Sequence, residues 1–469
     1  MPDRLRRVRL PEAKHLMACL IGFFMLWELE RKINFPGSST IYHGIQIAEL
    51  LMAGIMLAKL PLRGNKWYWI PLAGVALIFL TSAVRPDPVL DNTDRYLLRA
   101  VPVYMLCPAV GMLMAGAPLK RFLKVFLGIW TVLYVALALG GIYCVMTGLR
   151  IRDYTNTFGL GFRKFRMELF DGNKVYTAIN LMISILMALI GCAISEKRIT
   201  KAAYLIGILP MMLCLIMTSG RGGLACALAG IALAVTCMLQ KPLSRRIAKK
   251  WLRLIITVIL ILVIVGAGII GDYLAQDAVN DVLTNRRNHS GLLISTAKAE
   301  EMSVKQYKIR TLRLQDFFRD DFLNSRDVIW SRGIQLLREK PYLLLTGTSL
   351  PLMTEYLNPD HDETYFYHLH NMPFHILFST GVVGLALCAV FLFLLFRAAG
   401  RLYFDTGRPL WERFVILPAV CIVLHEMMDC VTMLDTRCSP ANMLLMFFAG
   451  LTIVLGSRKR EKDTERAHE

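Results

Sequence analysis

The chain has 469 residues, of which 55% are hydrophobic and 19% charged, too apolar for a water-soluble protein of this length and too evenly apolar for a single anchored domain. A soluble enzyme is excluded, and a polytopic membrane protein is implied. The formal charge of +19, from 54 basic and 35 acidic residues, would direct a soluble chain toward nucleic acid; here most of the excess sits in short loops where membrane topology accounts for it, so no nucleic-acid partner is expected.

A helix needs about 20 mostly apolar residues to cross the hydrocarbon core. That ruler predicts about twelve transmembrane helices, near 14–30, 44–60, 67–84, 97–116, 123–147, 176–194, 201–218, 221–239, 254–273, 372–396, 414–430 and 440–456. The expected fold class is an all-α polytopic membrane protein with one large, mainly helical extracytoplasmic loop. The expected division is 1–273 for the first nine spans, 274–371 for the loop domain, 372–457 for the last three spans and 458–469 for a cytoplasmic tail. No signal-peptide cleavage pattern is present, so the first span reads as a retained start-transfer helix.

Short cytoplasmic loops collect Lys and Arg. Arg4, Arg6, Arg7 and Arg9 precede the first span, and Lys59, Arg63 and Lys66 follow the second. Lys120, Arg121 and Lys124 follow the fourth, then come Lys197 to Lys201, Lys241 to Arg253, Arg397 to Arg413 and the Arg458 to Arg466 tail. The alternation predicts an inner (plasma) membrane protein with both termini cytoplasmic. It sends the 148–175 loop, the 219–223 turn and the 274–371 loop to the extracytoplasmic side.

Within that frame the polar residues gather at one face. Thr218-Ser219-Gly220-Arg221-Gly222-Gly223 lies between two spans with almost no polar loop. The glycines would let backbone amides approach an anion, the Arg221 guanidinium would bind a phosphate through two parallel hydrogen bonds, and the next helix N-terminus would add positive potential. The alternative is a tight turn whose arginine snorkels to headgroups. The 148–175 loop carries Arg150, Arg152, Arg163, Lys164 and Arg166 against the topology rule, which suits a lipid pyrophosphate, an anionic glycan or anionic headgroups. Arg326 and Asp327 open a stretch in which Ile329, Gly333, Leu336 and Leu337 fit an amphipathic helix able to lie on the membrane face; Trp330 and Arg332 belong to it.

The loop ends in Asp360-His361-Asp362-Glu363 and then Tyr365-Phe366-Tyr367-His368-Leu369-His370-Asn371, where the chain re-enters the apolar phase. A histidine at that boundary suits a general base, because its pKa lies near neutrality. His370 takes that role, Asn371 would orient it or the substrate, and Tyr365 and Tyr367 offer faces on which sugars stack. No cofactor is expected, although Asp360 and Asp362 leave a divalent ion open. His375, one turn into the span, reads as packed. His425, Glu426 and Asp429 near the outer end of the eleventh span could form a proton or ion path or lock the helix to Arg221 or another cation, and read best as a structural ion pair. Most of the eleven cysteines lie inside spans as packing residues, while Cys430 and Cys438 flank one short loop and could pair.

These motifs in this order resemble the O-antigen ligase and polymerase superfamily, extracytoplasmic glycosyltransferases that use lipid-linked glycans. The resemblance covers about 176–400. It rests on the Ser219-Gly220-Arg221-Gly222 turn, the long loop, Arg326 with Trp330, Pro341 with Gly347, and His370-Asn371 followed by Gly381 and Gly384. It implies Arg221 and Arg326 as binders of an undecaprenyl-pyrophosphate donor, His370 as the base that activates an acceptor hydroxyl, and an inverting transfer without a required metal. Ser219, Gly222, Asn371, His368, Arg332, Tyr367, Arg163 and Arg166 are the expected substrate-binding set. Gly220 between Ser219 and Arg221 departs from the family's pattern and leaves the role of Ser219 open. Expected partners are the lipid-linked donor, a glycan or glycolipid acceptor and membrane lipids. A ligase is expected; the alternatives are a polymerase of lipid-linked repeat units and a twelve-helix glycan flippase or transporter. A transporter would carry two related halves with broken helices in matching places, and no such repeat is visible.

Overall fold

The computed structural model describes residues 18–28, 38–59, 119–147, 151–152, 159–163, 166–169, 174–289, 326–348, 369–428 and 440–458, with single positions at 73, 76, 104, 107, 111, 353 and 357. Helices α1 (Ala18–Glu28) and α2 (Ser38–Lys59) precede α3 (Leu119–Thr147). Strands β1 (Ile151–Arg152), β2 (Gly159–Arg163) and β3 (Arg166–Leu169) follow, then α4 (Lys174–Ile194), α5 (Arg198–Met217), α6 (Arg221–Arg246) and α7 (Lys250–His289). Next come α8 (Arg326–Glu339), the short α9 (Leu343–Thr346), α10 (Met372–Phe404), α11 (Leu410–Phe414), α12 (Ile416–Met428) and α13 (Pro440–Ser457).

Among the described residues seven helices are long and apolar enough to cross a membrane: α3, α4, α5, α6, α7, α10 and α13. Each coincides with an expected span. The expected spans at 14–30, 44–60 and 414–430 coincide with α1, α2 and α12, while most of 67–84 and 97–116 lies outside the described residues. Helices α4 and α13 are enclosed by their neighbours and form the centre of the bundle. Helix α7 turns Ile255, Ile259, Leu262 and Val263 outward, which is apolar surface of the kind a lipid environment accepts. With 40 residues, α7 reaches about 60 Å at the helical rise, twice the hydrocarbon thickness. It therefore continues as helix past residue 274, where the long loop is expected to open.

Aromatic side chains knit α1, α3 and α13 together. The rings of Phe24 and Phe126 lie 5.1 Å apart, those of Phe24 and Phe447 5.6 Å, and those of Phe122 and Phe447 5.7 Å, within the range of favourable offset and edge contacts. Some polar side chains in the bundle find partners within it, as burial in an apolar phase favours. Trp130 donates through Nε1 to Ser184 Oγ at 3.0 Å, and the Tyr134 hydroxyl donates to buried Glu28.

Following the chain up and down the helices, the basic loops fall at one end, hereafter the basic end. Lys120 Nζ lies 2.7 Å from Glu196 Oε1, joining the start of α3 to the α4–α5 connection. That hydrogen bond and charge, with Lys124 beyond, hold the exposed Glu196 carboxyl below the usual carboxylate range. Buried Arg413 donates through Nη2 to the carbonyls of Cys237 and Tyr403, and Arg408 to that of Arg458.

Two features depart from the expected all-α reading. Residues 148–175, expected as a loop, carry a three-stranded antiparallel sheet in the order β1-β2-β3, with Leu160 opposite Leu169 and Arg163 opposite Arg166. Leu160, Met167 and Leu169 are buried against Gly140 and Gly141 of α3, so the sheet is held by apolar side chains on a helix face that offers no side chain of its own. The second departure is a break in α10 at Gly381, whose φ of 70° and ψ of −172° are not helical. There the turn after α9 docks: the Phe378 carbonyl accepts from the Thr348 amide at 2.6 Å and the Thr348 hydroxyl at 3.0 Å. Gly347 and Gly381 face one another, each with positive φ, and a Cβ on Gly381 would stand 2.1 Å from the Leu345 carbonyl oxygen.

Helix α8 forms as its periodicity predicts, but its apolar stripe turns inward rather than lying on a membrane face. Ile329, Gly333 and Leu336 are buried, and with Leu343, Met353, Leu357, Leu369 and Phe378 they make a small second core on the first turns of α10. Gly333 packs on the Phe378 ring, and the rings of Trp330 and Phe374 stack 6.3 Å apart.

Candidate active site

At the end of the bundle away from the basic loops, three chain segments meet on the last described turn of α12. From α8, Arg326 Nη1 donates to the Met428 carbonyl at 2.6 Å. From the start of α10, Asn371 Nδ2 reaches toward the Met427 carbonyl at 3.5 Å. From the α5–α6 turn, Gly222 lies against the ring of His425. The α12 turn itself carries His425 and Glu426, both buried. Arg326, Asn371 and the Ser219–Gly222 turn, far apart in sequence, are thereby brought to one element.

The turn follows from its sequence. Thr218 closes α5, its hydroxyl donating to the Leu215 carbonyl at 2.6 Å and accepting from the Gly220 amide at 3.1 Å. Ser219 adopts φ 53°, and Arg221 is the first residue of α6. The first amides of a helix have no partner within it and carry the positive end of its dipole, so α6 begins, at Arg221, where the backbone favours an anion.

His370 and Asn371 enter α10 together. Asn371 caps the helix, its Oδ1 accepting from the Phe374 amide at 3.2 Å, with Pro373 in the first turn. Trp330 donates to the Leu369 carbonyl at 2.8 Å, which fixes the residue just before His370 against α8. His370 has φ 50°, and it and Ser219 are the two non-glycine residues with positive φ among those described. Such a conformation costs about 1–3 kcal/mol and persists where surrounding contacts impose it, a pattern that concentrates at functional sites.

Loss of the Asn371 cap gives a stability prediction. Asn371→Ala should destabilise the α10 entry by about 1 kcal/mol, whereas Asn371→Asp keeps the accepting oxygen. Thermal unfolding of the purified protein in detergent should rank wild type and Asp above Ala, and equal losses in both variants would show that the cap carries no weight.

The other expected site residues distribute as follows. Arg332, further along α8, approaches the Leu357 carbonyl at 3.5 Å, a contact away from the α12 turn. Arg163 and Arg166 are directly paired across β2 and β3, at the end of α3 remote from Lys120. His368, Tyr365, Tyr367, the Asp360–Glu363 run, Asp429, Cys430 and Cys438 lie outside the described residues. Among the described residues no group of three or more His, Cys, Asp or Glu side chains could hold a metal ion. His375 is buried inside α10. His425, read from sequence with Glu426 and Asp429 as a structural ion pair at the outer end of its span, also reaches the α5–α6 turn. Its Nδ1 is 3.8 Å from Glu426 Oε1, and its opposite edge meets Gly222. Only a contact between helices distant in sequence reveals that placement.

The described helices are those of a polytopic membrane protein, and guanidinium, imidazole and amide groups converge at one end of them. Residues 206–389 match the family model described as O-Antigen ligase, the superfamily that the motifs resemble. That stretch runs from within α5 to within α10 and contains the α5–α6 turn, α8 and the His370-Asn371 entry. The family implies a membrane glycosyltransferase of the ligase or polymerase type, with lipid-linked glycans and membrane lipids as its partners. Comparison with curated proteins finds no match.

Proposed function

We propose that the protein transfers a glycan from an undecaprenyl-pyrophosphate-linked donor to an acceptor hydroxyl, in the manner of an O-antigen ligase, on the extracytoplasmic face of the inner membrane. The observation that carries this reading is the meeting of Arg326, the Arg221 turn and the His370-Asn371 entry on one turn of α12, within the stretch that matches the family. The charge pattern of the loops supports the orientation, with both termini cytoplasmic and the 274–371 segment on the outer side.

In the proposed reaction His370 takes the proton of the acceptor hydroxyl as its oxygen attacks the anomeric carbon. A new C–O bond forms, the bond from that carbon to the pyrophosphate oxygen breaks, and the anomeric centre inverts. Charge grows on the leaving pyrophosphate. Arg221, Arg326 and the first amides of α6 are donors suited to that charge, and preorganised donors of this kind are worth most where water is excluded. A guanidinium carries five N–H groups, so the bond from Arg326 to the Met428 carbonyl is compatible with anion binding and fixes where the guanidinium stands. Arg163 and Arg166, side by side on the β2–β3 hairpin, are proposed to attract the polyanionic part of a substrate. The stepwise chemistry uses protein groups and the leaving group alone, with no step assigned to a metal.

Cells lacking the gene, complemented by wild type or by His370→Ala at equal protein level, test the reading. With His370→Ala, glycan polymer should accumulate on undecaprenyl pyrophosphate and disappear from its acceptor. Persistence of single repeat units on the lipid would assign polymerase activity instead, and normal surface glycan would remove His370 from the mechanism.

A further inference from the structure

We propose that His425 is a donor-binding residue of this site, its imidazole contributing a hydrogen bond to the phosphate group held by the Ser219–Gly222 turn. The inference rests on the donor-site reading above and assigns it a residue outside the motifs that carry the resemblance.

The argument begins at Gly222. A Cβ built there would stand 3.1 Å from His425 Nε2 and 3.4 Å from Cδ2, closer than side chains normally pack. The ring edge carrying Nε2 therefore reaches the turn because residue 222 has no side chain, which is a reason for glycine beyond amide access. The opposite edge faces Glu426: Nδ1 lies 3.8 Å from Oε1, outside hydrogen-bond range, and makes no hydrogen bond. The imidazole is 1% exposed, so it is a polar group held inside the protein and directed at the turn.

Ser219 Oγ, on the same turn, is likewise enclosed and without a hydrogen bond, and its residue carries φ 53°. Each buried polar atom left unsatisfied costs about 1–3 kcal/mol. A histidine retained only to fill space would gain from replacement by leucine. On the turn itself the unpartnered Ser219 Oγ, with the Nε2 edge of the buried His425 ring set against Gly222, instead matches a ligand that supplies the missing partner. The groups arrayed there define its class: the Arg221 guanidinium, the first amides of α6, the Ser219 hydroxyl and an imidazole N–H on Nε2 all donate. An anion with several acceptor oxygens, a phosphate or pyrophosphate, satisfies that array. Glu426 lies on the Nδ1 side, and the imidazole stands between it and the turn.

Titration of the full-length protein in lipid nanodiscs with undecaprenyl pyrophosphate, and in parallel with undecaprenol, which lacks the phosphates, tests the assignment. His425→Leu should weaken binding of the pyrophosphate about tenfold, the worth of one hydrogen bond to a charged group, and leave undecaprenol binding unchanged. His425→Gln, whose amide N–H can reach the same position, should recover most of the loss. Gly222→Ala, which pushes the ring away without altering it, should lose pyrophosphate affinity as His425→Leu does, and it decides the matter if the leucine variant does not fold. Wild-type affinity in His425→Leu or Gly222→Ala, with binding lost in Arg221→Ala, would overturn the role of His425 and leave the donor site standing. Equal weakening toward both lipids would mark His425 as structural and also overturn it. Undiminished pyrophosphate binding in Arg221→Ala would remove the donor site itself, and the proposal with it.

Discussion

Arg221→Ala is expected to reduce glycan transfer about 10²–10³-fold, the loss seen when one preorganised donor is removed from a site of developing negative charge. The expectation follows from position. Arg221 is the first residue of α6, so in the proposed donor site its charge and the positive end of the helix would act on one anion, and the neighbouring His425 ring is held against Gly222. Arg221→Lys should recover part of the loss, because an ammonium supplies the charge without the planar fork that grips two phosphate oxygens at once. Turnover measured at matched protein level decides between two accounts. A snorkelling arginine would make Ala and Lys nearly equal to wild type, whereas a phosphate ligand gives the order Arg, Lys, Ala with wide gaps.

Gly381→Ala is expected to be the most damaging small substitution for the architecture. Gly381 has φ 70°, and its added methyl would stand 2.1 Å from the Leu345 carbonyl oxygen. Backbone strain and overpacking act at the same atom, each costing about 1–3 kcal/mol. Neither side can yield cheaply. Gly347 opposite also has positive φ and would meet the Ser379 carbonyl at 2.4 Å if it carried a Cβ, and the Phe378 carbonyl is already held by Thr348. The segment carrying Arg326 and Trp330 should therefore detach from α10, with a lowered melting temperature and new protease cleavage between 326 and 348. Activity should fall with it, because the bond from Trp330 to the Leu369 carbonyl and that from Arg326 to Met428 both depend on this docking. Wild-type melting and protection in Gly381→Ala would show that the break in α10 is incidental.

The helices were legible because the signal that defines them is local: seven long apolar runs become seven long helices, and the alternation of basic loops matches the up-and-down course of the chain. The α8 periodicity was equally plain, although sequence could not say whether its apolar face meets lipid or protein; the second core around Phe378 supplies the answer. The β1–β3 sheet escaped notice for a physical reason. Its strands span two, five and four residues, too short for a period-2 pattern, and they are stabilised by packing on the smooth face of the preceding helix α3 at Gly140 and Gly141.

The site was legible as a set of residue types and not as a geometry. Ser219, Arg221, Gly222, Arg326, His370 and Asn371 could be named because charged or strained residues at the edge of an apolar span need a reason. That Arg326 and Asn371 meet on α12 could not be read, since the carbonyls of Met427 and Met428 leave no trace in the identity of those residues. His425 reads from sequence as part of a structural ion pair, and its Nδ1 does lie 3.8 Å from Glu426 Oε1; what the sequence does not show is that the ring also packs on Gly222.

The central claim is that this outer cluster moves a lipid-linked glycan. Its most direct test is reconstitution of the purified protein in proteoliposomes with an undecaprenyl-pyrophosphate-linked glycan and a glycolipid acceptor, followed by mass analysis of both lipids. The account predicts glycan joined to the acceptor, undecaprenyl pyrophosphate released in equal amount, inversion at the anomeric carbon, and loss of all three with Arg221→Ala or His370→Ala. Transfer that proceeds at the wild-type rate in both variants, or movement of the intact donor across the bilayer with no new glycosidic bond, would contradict it.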